Sequence, residues 1–134
     1  MKILVIDDNY ASRKLLKAYL EERGTCDLAA DGAEGIALFE SALRAGEGYA
    51  LVCLDLMMPG LDGHEALREL RKIEEKRKAP ARARIVMTTA VDDRQDVMTS
   101  FNDGCDGYLV KPINAAQLDG LLERFGLIAP AKEG

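Results

Sequence analysis

The stretch Leu51-Val-Cys-Leu-Asp-Leu-Met-Met-Pro-Gly60 is a short apolar run ended by one acid, Asp55, and then by a Pro-Gly turn. A continuous apolar run of this length between turn signals is the pattern of a strand buried on both faces. Such strands occur where a parallel sheet carries helices on each side. Asp55 is then the anomaly, because a buried carboxylate without partners is costly. Its partners must come from elsewhere in the chain.

Working outward, four similar runs appear: Ile3-Leu-Val-Ile6, Cys26-Asp-Leu-Ala-Ala30, Ile85-Val-Met-Thr-Thr89 and Gly107-Tyr-Leu-Val110. Segments of helical period separate and follow the five runs. Leu15, Leu16, Tyr19 and Leu20 share a face, as do Ile36, Phe39 and Leu43, then Leu67, Leu70 and Ile73. Val97, Met98 and Phe101 form a fourth stripe stopped by Gly104, and Leu118, Leu121, Leu122 and Phe125 a fifth stopped by Gly126. Capping-box patterns open three helices, at Asp31-Gly-Ala-Glu34, Asp62-Gly-His-Glu65 and Asn114-Ala-Ala-Gln117, and Pro80 is expected to end the third helix. Strict alternation of strand and helix with right-handed crossovers predicts an α/β fold, a flavodoxin-like doubly wound parallel sheet of order 2-1-3-4-5.

At 134 residues the chain fits one domain, predicted over 1–126 with a short tail, 127–134, that frays from Ala129. No apolar block approaches a membrane span, and the N-terminal Met-Lys-Ile-Leu-Val-Ile is too short for a secretory core, so a cytoplasmic location is expected. A net charge of −5 repels nucleic acid and anionic lipid and favours protein partners. Cys26, Cys53 and Cys105 have neither disulfide nor zinc spacing and read as small buried or half-buried residues.

In an open parallel sheet, ligands bind beyond the carboxyl ends of the strands where the strand order reverses, here between strands one and three. Asp7 and Asp8 end strand one and Asp55 ends strand three, which brings three carboxylates to one crevice. Two such charges ~4 Å apart repel by about 4 kcal/mol at an effective dielectric near 20. A cation among them is required, and oxygen-only donors suit Mg2+ or Mn2+. Asp8 has a second reading, as the cap of the helix that follows. Thr89 and Lys111 end strands four and five and add a hydroxyl and an ammonium group at the same edge.

Ile6-Asp-Asp8, Leu54-Asp-Leu-Met-Met-Pro-Gly-Leu-Asp-Gly63, Met87-Thr-Thr-Ala90 and Gly104-Cys-Asp-Gly-Tyr-Leu-Val-Lys-Pro112 resemble, in order and spacing, the receiver domain of two-component response regulators over residues 1 to 126. The resemblance implies that Asp55 accepts a phosphoryl group from a phosphohistidine as an aspartyl phosphate. It further implies that Asp8, Asp55 and the Met57 carbonyl hold Mg2+, with Asp7 acting through water, and that Lys111 pairs with Asp55 and then with a phosphoryl oxygen. Thr89, twenty-two residues before Lys111, matches the hydroxyl position better than Thr88. Tyr108 matches a switch aromatic that turns inward with Thr89 and reshapes the face of helix four, strand five and helix five. A cis Lys111-Pro112 bond is also implied, as is slow hydrolysis from the apolar Met57 and Val91 beside the approach of water. A carboxylate with an ordinary pKa near ~4 is already ionised at neutral pH, so Asp55 is expected to need no general base.

By the same resemblance the donor is a sensor histidine kinase or a histidine phosphotransfer protein, and the output is an unidentified protein, with no helix-turn-helix or other effector able to fit after Phe125. The chain reads as a stand-alone signalling module with self-directed phosphorylation and autodephosphorylation rather than a conventional enzyme, monomeric or weakly dimeric. Relay intermediate and phosphate sink are alternative placements of the same chemistry. A haloacid-dehalogenase-type hydrolase lacks its second acid two residues after Asp55, and a pseudo-receiver conflicts with the full set of site positions. His64 reads as a plain surface residue. The basic run over 71–84 reads either as a docking patch or as a solvated helix end.

Overall fold

The computed structural model describes residues 1–90 and 94–130; Val91 and the end of the tail lie outside the described residues. Strands β1 (Lys2–Ile6), β2 (Thr25–Ala29), β3 (Leu51–Asp55), β4 (Arg84–Thr89) and β5 (Gly107–Val110) alternate with helices α1 (Tyr10–Leu20), α2 (Gly32–Arg44), α3 (Gly63–Lys76), α4 (Arg94–Asn102) and α5 (Ala115–Arg124). All strand pairs are parallel, in the order β2-β1-β3-β4-β5. The order reverses between β1 and β3, where Ile6 stands opposite Leu54. Asp7 and Asp55 therefore emerge at the same edge.

The pleat sorts the apolar runs into two cores. Leu4, Ile6, Val52, Leu54, Ile85 and Met87 face α2 and α3, packing with Phe39, Leu67 and Leu70. Ile3, Val5, Leu51, Cys53 and Val86 face α1 and α5, packing with Leu16, Leu20, Leu118 and Leu122. Within the α1 stripe, Leu16 and Leu20 are buried while Leu15 stays exposed. Leu127 and Ile128 also pack on this second core, two residues past the boundary expected from sequence.

The accepting half of all three capping patterns holds, while among the described residues only Glu34 reaches back, its Oε2 accepting from the Ala30 N–H at 3.1 Å. Asp31 accepts from the Glu34 N–H, Asp62 from that of Glu65, and Asn114 from those of Ala116 and Gln117. The first helix is capped by Asn9, whose Oδ1 accepts from the Ser12 N–H at 2.9 Å, so Asp8 is not the cap. Helix α3 ends before Pro80. Lys78 adopts φ 52° and Ala79 N–H bonds back to the Glu74 carbonyl at 2.9 Å, a Schellman-type stop with lysine in the glycine position.

Two expectations fail. Met98 and Phe101, read as part of a packed stripe, are 60% and 47% exposed, and Ser100 is the buried residue of α4. His64 is half-buried and lies between α3 and α4, Nε2 3.6 Å from Asp96 Oδ1 and Nδ1 3.7 Å from Asp103 Oδ2. It sits half-buried between these segments where a plain surface residue was expected.

Candidate phosphoryl-acceptor site

The site is built from the ends of β1, β3, β4 and β5. Asp7 follows β1 and is fully buried, with Oδ1 accepting from the Asn9 N–H at 2.8 Å. Because Asn9 also caps α1, the turn carrying Asp7 and Asp8 is tied to the helix start, and Asp8 is left exposed with its carboxylate uncommitted to a cap. Arg13, one turn into α1, donates from Nη1 to the Asp7 carbonyl at 2.7 Å and lies over the Tyr10 ring. Sequence reading missed Arg13, whose only signal was a cation on the site-facing side of the first helix.

Asp55 ends β3 and is buried, Oδ1 accepting from the Met57 N–H at 3.2 Å. Its segment folds back at once, since the Gly63 N–H donates to the Leu56 carbonyl at 2.9 Å. A Cβ at Gly63 would stand 2.5 Å from Leu56 Cα and 2.7 Å from the Asp55 carbonyl oxygen, so glycine is required by close approach. The Asp62-Gly63 signature marked the helix start, and its second role at the acid was not legible.

Lys111 follows β5 and enters the crevice with Nζ 2.8 Å from Asp7 Oδ2 and 3.4 Å from Asp55 Oδ2. The pairing expected with Asp55 is present, but the shorter contact is with Asp7. Burial pulls the ammonium group's pKa down, while the hydrogen bond to Asp7 and the charges of both acids outweigh it and leave it above its ordinary value. The Lys111-Pro112 bond is cis. Thr89 precedes the site on β4 and its carbonyl accepts from the Lys111 N–H at 2.6 Å, which sets the two residues side by side. Thr88 is also buried; it stands in register with Asp55, and its Oγ1 has no hydrogen-bond partner among the described residues. Tyr108 is half-buried against the core that faces α2 and α3.

One oxygen each of Asp7, Asp8 and Asp55 lies within 4.8 Å of the others. One ammonium group balances three carboxylates, two of them buried, and the donors are all oxygen. That donor set suits a hard divalent cation such as Mg2+. The electrostatics correct one expectation. Burial first, and the Asp7 charge second, raise the Asp55 carboxyl from 3.8 to about 7 against the opposing effects of Lys111 and the Met57 N–H. Without added positive charge, Asp55 is not an ordinary ionised carboxylate at neutral pH.

The family model of the response regulator receiver domain matches residues 3–123. The chain belongs to the response regulator receiver domain family. This receiver is 42% identical over 118 residues to the transcriptional regulatory protein ResD of Bacillus subtilis, covering 87% of the chain and 44% of ResD. It spans less than half the length of the curated relatives it matches. Among solved structures it resembles a chain of the CheX-CheY-BeF3-Mg2+ complex from Borrelia burgdorferi, at TM-score 0.80 and 25% identity over 92% of this chain and 87% of that one. It also resembles the complex of the Saccharomyces cerevisiae phosphotransfer protein Ypd1 with the Ssk1 receiver domain, at TM-score 0.81 and 26% identity over 94% and 88%. No described helix is long and apolar enough to cross a membrane.

Proposed function

We propose that this receiver, working in the cytoplasm, accepts a phosphoryl group on Asp55 from a phosphohistidine of a sensor kinase or phosphotransfer protein. The observation that carries it is the convergence of Asp7, Asp55 and Lys111, with Asp8 beside them, at the point where the strand order reverses. Relatives crystallised with Mg2+ and with a histidine phosphotransfer protein support the reading.

In this reading Asp8, Asp55 and the Met57 carbonyl hold Mg2+, with Asp7 acting through water. Bound there, the ion supplies the positive charge that lowers the Asp55 pKa and neutralises phosphoryl oxygens. The remaining work belongs to the chain. The Met57 N–H and Lys111 hold the two oxygens of Asp55 in a fixed orientation. An Asp55 oxygen forms a bond to phosphorus as the bond to the donor's imidazole nitrogen breaks, and the electron pair stays on that ring. No general base is needed once Asp55 is ionised. Lys111 and the Thr89 hydroxyl then bind phosphoryl oxygens, positioning and electrostatics being the main contributions to such transfers.

The modification adds roughly −1.5 to −2 charges. Drawing Thr89 inward makes room for Tyr108 to follow, and the α4-β5-α5 face changes for an output partner. Two charge-assisted contacts of ~1.5–3 kcal/mol each approach the ~5.5 kcal/mol that a complete population switch demands. The test is incubation with acetyl phosphate and Mg2+ followed by intact-mass measurement. A single phosphate adduct is expected that requires Mg2+ and vanishes in Asp55→Asn; an adduct surviving that substitution would refute the assignment. Tyr108→Ala should keep the adduct and weaken phosphorylation-dependent partner binding.

A further inference from the structure

Residues 71–84 carry seven cations against two acids in a chain of net charge −5. Tertiary structure divides these cations into two groups. Arg71 is engaged internally: its Nε donates to the Gly104 carbonyl at 2.9 Å, Nη1 to Glu74 at 2.7 Å and to the Ala83 carbonyl at 2.8 Å, and Nη2 to Asp106 at 2.8 Å. Glu74 in turn accepts from the Ala83 N–H, and Asp106 from that of Ile85. Arg77 approaches Glu40, Arg84 approaches Asp106 and covers the Phe125 ring, and Lys72 approaches Glu69. The side chains of Lys76, Lys78 and Arg82 are exposed and have no ion pair or hydrogen bond among the described residues.

The turn bearing these three cations is therefore a built surface and not a slack connection. The Arg71 network fastens both of its ends, and Lys78 is held at φ 52°. Arg82 lines two hollows. One, of about 430 Å3, is shared with Glu75 and Lys78. The other, of about 330 Å3, is lined by Leu43, Tyr49, Pro80 and Leu127 beside Arg82 and Arg84. Both lie where β4 begins, at the pole opposite Asp55.

We propose that this pole is a docking site for an acidic segment of a protein partner, seating one apolar side chain in the Leu43-Tyr49-Pro80-Leu127 hollow and its carboxylates against Lys76, Lys78 and Arg82. Charge complementarity selects the partner. A short acidic segment stays within a Debye length of the patch, about 8 Å at physiological salt, whereas a long nucleic acid runs onto a surface of opposite balance and is repelled. The apolar hollow adds a contact that phosphate groups cannot use. Since the strand separating this pole from Asp55 spans roughly 16 Å and none of Lys76, Lys78 and Arg82 bonds to a residue of the Asp55 crevice, docking here is independent of phosphorylation. It tethers a partner and does not report the switch.

The test uses the full chain and a fluorescein-labelled peptide of about a dozen residues, rich in Asp and Glu with one central Leu, followed by anisotropy. Salt-sensitive binding is expected, weakened about tenfold in Lys76→Gln/Lys78→Gln/Arg82→Gln. A peptide with Ser in place of Leu should bind about threefold more weakly or worse, since a small apolar contact is worth ~1 kcal/mol. Asp55→Asn should bind as wild type does. Unchanged affinity in the triple variant overturns the proposal. So does equal binding of the Ser peptide or of a single-stranded oligonucleotide of matched charge, because either result means general polyanion attraction. A change of more than about threefold in Asp55→Asn overturns the independence of the two poles.

Discussion

At the level of single residues, Asp55 sets the behaviour of the resting protein. Burial first, and the Asp7 charge second, push its carboxyl up from the ordinary 3.8 to about 7 in the fold. Between those values the folded state keeps a proton that the unfolded state has released, so stability falls as pH rises from about 4 through 7. The metal-free protein should therefore lose stability across that window. Asp55→Asn should remove this component and raise the melting temperature near pH 8 by about 3–8 °C, corresponding to ~1–2 kcal/mol. Melting curves of the two proteins compared at several pH values check this, and parallel pH profiles would count against a raised Asp55. Lys78 offers a second residue-level test. Lys78→Gly should stabilise by ~0.5–1 kcal/mol in urea denaturation, because glycine adopts positive φ without a Cβ penalty.

At the level of elements, the turn from α3 to β4 depends on one buried ion network. Removing Arg71 as Arg71→Met leaves Glu74 buried without its cation, and the expected loss is ~3–5 kcal/mol. Arg71→Met/Glu74→Gln should recover part of that loss, a non-additivity readable from chemical denaturation. Helix α4 is the opposite case. With Phe101 47% exposed, only about half of its ring is buried, and Phe101→Ser should cost about 1 kcal/mol. A loss of several kcal/mol would show that α4 is packed as the sequence pattern suggested. On its α3 side His64 lies 3.6 Å from Asp96, and just past its end Asp103 pairs with Arg68 of α3 at 3.0 Å.

At the level of the whole molecule, a ligand that binds only the folded state raises stability in proportion to its affinity. Mg2+ at a hundredfold excess over its Kd should add about 2.7 kcal/mol. The resulting shift in melting temperature should disappear on adding EDTA and be absent in Asp8→Asn. A shift of equal size in that variant would place the ion elsewhere. The fold was legible to a large extent because its signals are local: the apolar runs predicted all five strands, and the strand order followed from the right-handed connection of parallel neighbours. The site was legible one level up, since strand ends in a known order can be assigned to one edge. Asn9 as cap, Arg13 on the Asp7 carbonyl and Gly63 against Asp55 were not, because each acts through a contact that no spacing encodes.

By itself the sequence determined the alternation of strands and helices, the caps that start α2, α3 and α5, and the gathering of Asp7, Asp8, Asp55, Thr89 and Lys111 at one sheet edge. Period and capping are properties of neighbouring residues, and topology then leaves few arrangements. Only the tertiary structure decided which acid lies nearer Lys111, how far burial lifts Asp55, which cations of 71–84 turn inward, and that His64 is half-buried beside Asp96 and Asp103. Those outcomes depend on distances between residues far apart in the chain and on the water each group loses, quantities that exist only once the chain has packed.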